Sequence, residues 1–182
     1  MGAAVTRPGP RRTLSEQAIL DAALALLAEL GADRVTIRGI ANRVGIAPNA
    51  VYTYFPDKAA VLHGLAEQLL GRVLDDRQTD ARRPWRDRVH SLAHDLRAEL
   101  LAHPGSVRLL LDNDGPNARA INATLLSVLA DAGLDQDAAA RGAHLVNVLI
   151  LGSIATANQA ATDQFEWSID RLLDGLSTYA AR

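Results

Sequence analysis

Two groups of side chains in this 182-residue chain have types and spacings that suit chemistry. His90 and His94 are four apart, which on a helix turns both imidazoles to one face, a spacing that suits a metal ion. Ser91, Leu92 and Ala93 lie between them, so no glutamate stands there as a general base; Asp87 and Asp95 are nearby, and no third ligand is evident. The second group is suited to binding rather than catalysis. From Arg34 to Pro56 the chain has three arginines and no carboxylate. Arg38, Pro48, Asn49, Ala50, Tyr52, Thr53 and Tyr54 fall in that interval and Lys58 follows it. Amides and guanidinium groups pair with base edges, while hydroxyls and ammonium groups hold phosphates.

These groups need elements to position them. Apolar spacing is helical almost throughout, with no alternating run and no internal repeat, so the expected fold is all-α with about nine helices. Ile19, Ala22, Ala23, Leu26, Leu27 and Leu30 line a first helix, with Thr13 and Glu16 at capping-box spacing before it and Gly31 placed to end it. Thr36 caps a short second helix carrying Ile37, Ile40, Ala41 and Val44 up to Gly45, and Pro48 opens a third running to about Tyr54. Gly39 weakens the second helix, and Ala47 cannot cap the third with its side chain. Ile40, Ala41, Val44, Ile46 and Val51 form the small core between the two, which leaves Asn49, Ala50 and Thr53 outward.

Further helices are expected from Asp57 to Leu74 and from Trp85 to Ala102, with the polar tract Asp75–Arg83 as a connection. A short helix to Leu111, then helices over 117–132, 136–161 and 164–181, complete the chain. Two short helices joined by a glycine-containing turn make a helix-turn-helix, whose second helix, about 10–12 Å across, fits a major groove about 12 Å wide. The division expected is a basic tail over 1–12, a DNA-binding unit over 13–58 and a larger domain over 59–182. Charge follows that division: seven basic and five acidic residues up to Lys58, against twelve and sixteen beyond it.

Residues 14–62 resemble the DNA-binding domain of the TetR family of bacterial transcriptional regulators. The matching text is TIRGIANRVGIAPNAVYTYFPDKAAVL, against a family pattern of a Thr, an Ile/Leu-Ala pair, a Gly in the turn and A-[VL]-Y-x-[HY]-F-x-x-K. WRDRVHSLAHDLRAELLAHP and VNVLILGSIATANQAA resemble the ligand-binding half of the tetracycline-repressor subgroup. The resemblance implies that Asn49, Ala50, Tyr52, Tyr54 and Lys58 contact DNA and that Arg38 reaches a base. Asn49 then suits adenine and Arg38 guanine, while Tyr54 and Lys58 hold phosphates. Tyr52 serves either core or DNA, and Arg7, Arg11 and Arg12 form either an idle tail or a minor-groove arm.

The partners implied are a double-stranded DNA operator, a small-molecule effector and a second copy of the chain. Effector contacts are expected from His94, Arg97, His144, Asn147, Leu151 and Asn158, with His144, Asn147, Leu151, Ile154 and Asn158 on one helical face. Tetracycline itself is not expected, because the histidines do not fall where that subgroup's metal-chelate site needs them. For the homodimer, Val148, Gly152, Ala155 and Gln159 form a small-residue stripe facing Ile169, Leu172, Leu173, Leu176 and Tyr179.

No cofactor, no resident metal and no enzymatic activity are expected. With no Cys there is neither a thiolate nucleophile nor a thiolate metal site, and phosphate-loop, dinucleotide and nucleophile-elbow motifs are missing. The apolar stretch Leu145–Ala157 is shorter than the roughly 20 residues a bilayer needs, and the first twelve residues lack the apolar core of a secretory signal. The expected protein is cytoplasmic, on the nucleoid, with no membrane partner. The alternatives kept open are a metal-binding protein or metalloenzyme using His90 and His94, and a purely structural helical dimer.

Overall fold

The computed structural model describes residues 14–111, 113–156 and 161–180. Ten α-helices and one 3₁₀ turn are found among them, and no strand. They are α1 Glu16–Leu30, the 3₁₀ turn Ala32–Arg34, α2 Ile37–Val44, α3 Pro48–Val51, α4 Lys58–Leu70 and α5 Asp76–Thr79. The rest are α6 Trp85–Ala102, α7 Val107–Leu110, α8 Pro116–Asp131, α9 Gln136–Ala155 and α10 Ala161–Ala180.

Local chemistry sets most of the boundaries. The first helix is capped by Ser15, whose hydroxyl accepts from Ala18 N; Thr13, placed at capping-box spacing in the sequence, lies outside the described residues. Thr36 Oγ1 accepts from Gly39 N, and Gly45 ends α2 in the left-handed conformation at φ 82°, which a side chain would strain. Gly39 stands close under Thr36 and Leu26, where a Cβ would crowd both. Pro48 opens α3, which has no side-chain cap, as expected of Ala47.

The tenth helix was hidden in the polar tract read as a connection. Asp75 N donates to Gln78 Oε1, and the buried Gln78 amide donates to Val73 O and to Asp95 Oδ2 at 2.7 Å. Buried Arg88 donates to Gln78 O at 2.8 Å and to Asp131 Oδ2 at 2.7 Å. The α5 turn is thus held by Arg88 and Asp95 of α6, with Asp131 of α8 fixing Arg88, which no local pattern in 75–83 reveals. Helix α4 stops at Leu70, short of Leu74, and α9 stops at Ala155, short of 161.

Two hydrophobic clusters meet on α4. Val61 and Leu65 belong to the cluster of α1–α3, with Ile19, Leu27, Ile40 and Val51. Leu70, near the other end, belongs to the cluster of α6, α8, α9 and α10, with Leu92, Leu125, Ile150 and Phe165. The expected boundary after Lys58 therefore runs through the first turn of a helix that both cores share. Helix α9 is long and apolar enough to cross a membrane by length and composition alone. Here it packs on α6, α8 and α10 through Ala143, Val146 and Ile150.

Candidate nucleic-acid interface

The α2–turn–α3 unit is braced from behind. Ile40, Ala41 and Val51 are buried, and Val44 and Ile46 pack partly against them. Arg43 reaches back to α1 and donates to both carboxylate oxygens of Glu29 at 2.7 Å. That hydrogen-bonded guanidinium holds the Glu29 carboxyl below the usual carboxylate range. A carboxyl whose folded pKa is lowered stabilises the fold above its unfolded pKa and loses that contribution as pH falls through the folded pKa. Glu29→Gln therefore weakens the fold slightly at neutral pH, and the difference from wild type vanishes in acid. Urea unfolding at the two pH values checks this; a difference that grows in acid would contradict it.

Arg34 donates to Leu30 O at 2.8 Å, the carbonyl end of α1. Of the three arginines in the carboxylate-free interval, Arg38 alone is exposed with no polar partner among the described residues. Asn49 and Thr53 are exposed beside it, with Pro48 and Ala50 half-buried between, and all are short enough to let a helix seat deeply in a groove. Tyr52 is 51% exposed, which decides its two readings against the core; Phe55 fills that place instead. Asn42 of α2 is exposed as well.

Two expected phosphate contacts are already engaged. Tyr54 donates its hydroxyl proton to Leu14 O at 2.9 Å, tying the start of α1 to the end of the unit. Lys58 Nζ, half-buried, lies 3.4 Å from Ala32 O and 3.3 Å from Asp33 O. The carbonyls of the 3₁₀ turn draw the ammonium inward and take two of its three N–H donors, so in the free chain both groups hold partners within the fold.

The five expected effector residues that fall among the described ones do not converge. Asn147 and Leu151 line a groove of about 260 Å³, with Leu70 of α4, Leu96 of α6, and Asn113 and Ile121 before and on α8. Arg97, only 7% exposed, instead donates to Ser153 Oγ and stands 4.8 Å from the Phe165 ring centroid, away from that groove's lining. His94 pairs with Glu166 at 3.0 Å across to α10. His144 is exposed: the inner face of α9 is the one with Gly142, Ala143, Val146 and Ile150, so the face chosen from sequence was turned too far round. Asn158, Gln159 and the arginines of the tail lie outside the described residues.

The groove is wired to α4 by Glu67, which the sequence reading missed as one more polar residue on an amphipathic helix. Its Oε2 accepts from Asn117 N and its Oε1 from Asn113 Nδ2, both at 2.6 Å, while Asn117 Nδ2 donates back to Glu67 O. The carboxylate thus caps the start of α8, where negative charge is favoured. Gly115 makes room for it: a Cβ there would fall inside the Glu67 side chain.

The expected dimer stripe divides. Val148, Gly152 and Ala155 of α9 are exposed, as are Leu145, Trp167 and Tyr179. Ile169, Leu173 and Leu176 are buried within the chain's own core, and Leu172 is half-buried. A helical stripe records burial without saying against what, and on α10 the chain's own α9 takes it.

Comparison with known proteins places these features in a family setting. Residues 19–65 match the family described as bacterial regulatory proteins, tetR family, and residues 79–171 match the tetracyclin repressor-like C-terminal domain. A tetracycline repressor protein of class A from Escherichia coli is 29% identical over 90% of this chain and 91% of its own length. The crystal structure of a possible TetR family transcriptional regulator from Streptomyces coelicolor superposes with a TM-score of 0.78 at 27% identity, over 90% of this chain and 99% of that one. BioQ, solved with its double-stranded DNA operator, has the same fold at a TM-score of 0.78 and 24% identity, over 91% of this chain and 99% of that one.

Proposed function

Because the chain belongs to the TetR family of bacterial transcriptional regulators, we propose that it represses by binding a palindromic operator as a homodimer and leaves it when a small molecule enters the α4–α6–α8–α9 groove. Membership makes it a DNA-binding regulator; the absence of enzymatic activity, the operator geometry, the effector and the pairing of copies are the steps proposed. The observation that carries the reading is the exposed Arg38, Asn49 and Thr53 face on a braced helix-turn-helix. Arg38 supplies the bidentate donor that guanine O6 and N7 accept, and Asn49 the paired donor and acceptor that adenine offers.

A groove of about 260 Å³ falls below the roughly 300–1,000 Å³ of pockets that enclose drug-sized ligands. An occupant has to push its walls apart, and Leu70 of α4 is one of them. Asn113, which also lines it, is held by Glu67 of α4. A ligand that takes the Asn113 amide frees the α4 carboxylate, and α4 leads directly out of the reading unit. Two recognition helices must sit about 34 Å apart, so a shift of a few ångströms lowers operator affinity. The lining favours an apolar molecule with a few hydrogen-bonding groups, set by Asn113, Asn122 and Asn147. Such a regulator works on the nucleoid, in the cytoplasm.

Arg38→Ala and Asn49→Ala are each expected to cost about 1–3 kcal/mol on the preferred sequence and almost nothing on unrelated DNA. Titrations of both DNAs at fixed salt check this. Equal losses on both would remove the residues from base readout.

A further inference from the structure

Helices α6 and α10 face each other along a polar seam in matched register. Arg86 meets Asp174 at 2.7 Å, His90 Nε2 stands 3.0 Å from Asp170 Oδ1, and His94 Nε2 stands 3.0 Å from Glu166 Oε1. The two imidazoles stack at 5.9 Å with 14° between their planes, and the Phe165 ring closes one side of His94 edge-on. One donor atom each from His90, His94 and Glu166 falls within a sphere of mutual separations no larger than 4.8 Å. The third ligand that the sequence did not offer arrives from a helix more than seventy residues away.

We propose that His90, His94 and Glu166 form a binding site for a divalent transition-metal ion of the zinc class, with the Asp170 carboxylate as its fourth ligand. Two imidazole nitrogens with carboxylate oxygens are the donor set that zinc and its neighbours prefer, whereas magnesium and calcium want oxygen alone. Zinc bonds of about 2.0–2.2 Å in a tetrahedron place donor atoms roughly 3.4 Å apart. The His94–Glu166 and His90–Asp170 separations of 3.0 Å already approximate two such edges, so binding replaces two hydrogen bonds by four metal bonds. Side-chain rotations have to bring the His90, His94 and Glu166 separations of up to 4.8 Å down to this edge, with a larger swing for Asp170, which stands outside that group; all four side chains are half-buried, accessible to an entering ion. The ion would fasten the effector core to α10, whose outer side presents Trp167 and Tyr179. This site stands apart from the α4–α6–α8–α9 groove and does not depend on the reading proposed for it.

The test is titration of the metal-stripped full chain with cobalt(II), then zinc(II), followed by visible spectroscopy and equilibrium dialysis. The expected result is one ion per chain, with the intense visible bands of four-coordinate cobalt, lost on adding zinc. The double variant His90→Asn/His94→Asn loses the bands, and Glu166→Gln weakens binding about 100-fold or more. His144→Asn, on the exposed side of α9, leaves both unchanged. Far-UV circular dichroism reports folding, and the near-isosteric Glu166→Gln decides the matter if the double variant does not fold. No saturable uptake by the wild-type chain, or uptake that survives in Glu166→Gln and any folded double variant, overturns the proposal.

Discussion

Val148→Glu is expected to leave the chain monomeric at micromolar concentration and to lower its affinity for a palindromic operator by about 1,000-fold or more. Val148 is 51% exposed in the middle of the outer side of α9, and beside it Gly152 has open space where a Cβ would stand. Leu145, Trp167 and Tyr179 extend the exposed apolar surface to either side. In a two-fold interface each residue near the axis meets its own copy, so one substitution brings two carboxylates together out of water. A monomer then reads a single half-site, and the advantage of specific over bulk DNA, typically 10³–10⁷, largely disappears. Sedimentation and operator titration check the two halves of this expectation. A folded Val148→Glu dimer would move the interface elsewhere.

Glu67→Ala is expected to destabilise the fold by about 3 kcal/mol. Its carboxylate accepts from Asn117 N and Asn113 Nδ2 at 2.6 Å each, and from Ala118 N at 3.4 Å. Hydrogen bonds to a charged group contribute about 1.5–3 kcal/mol each and do not add fully. Truncation also leaves the first amides of α8 without an acceptor in a partly buried place. Glu67→Gln recovers part of the loss, since its amide oxygen still accepts from one donor. Urea unfolding gives the magnitude, and hydrogen exchange at Asn117 and Ala118 gives the place. A loss below about 0.5 kcal/mol, with exchange unchanged there, would mean that Glu67 does not hold α8 to α4.

The reading unit was legible because its signals are local. Thr36, Gly45 and Pro48 act within a few residues of themselves, and the structure places each where its chemistry predicts. What failed was non-local. The α5 turn is held by Arg88 and Asp95, distant in sequence, and the 75–83 tract alone reads as polar linker. Tyr54 and Lys58 looked free because their acceptors, Leu14 O and the 3₁₀-turn carbonyls, are backbone groups some 25–40 residues away. The apolar stripe of α10 was assigned to a partner although α9 of the same chain buries it. Periodicity identifies a buried face and leaves its neighbour open. The histidine pair shows the same limit, with its spacing visible on α6 and its carboxylates on α10.

The Arg38, Asn49 and Thr53 face is expected to read DNA in two copies at once. Selection of bound sequences from a random double-stranded pool by the purified full chain, with the winners titrated across salt, measures this. The predicted result is a palindrome whose half-sites lie about one helical turn apart, bound at least about 1,000-fold more tightly than bulk DNA at the same salt. Recovery of unenriched sequence from a folded chain, with affinity set by salt alone, would contradict it.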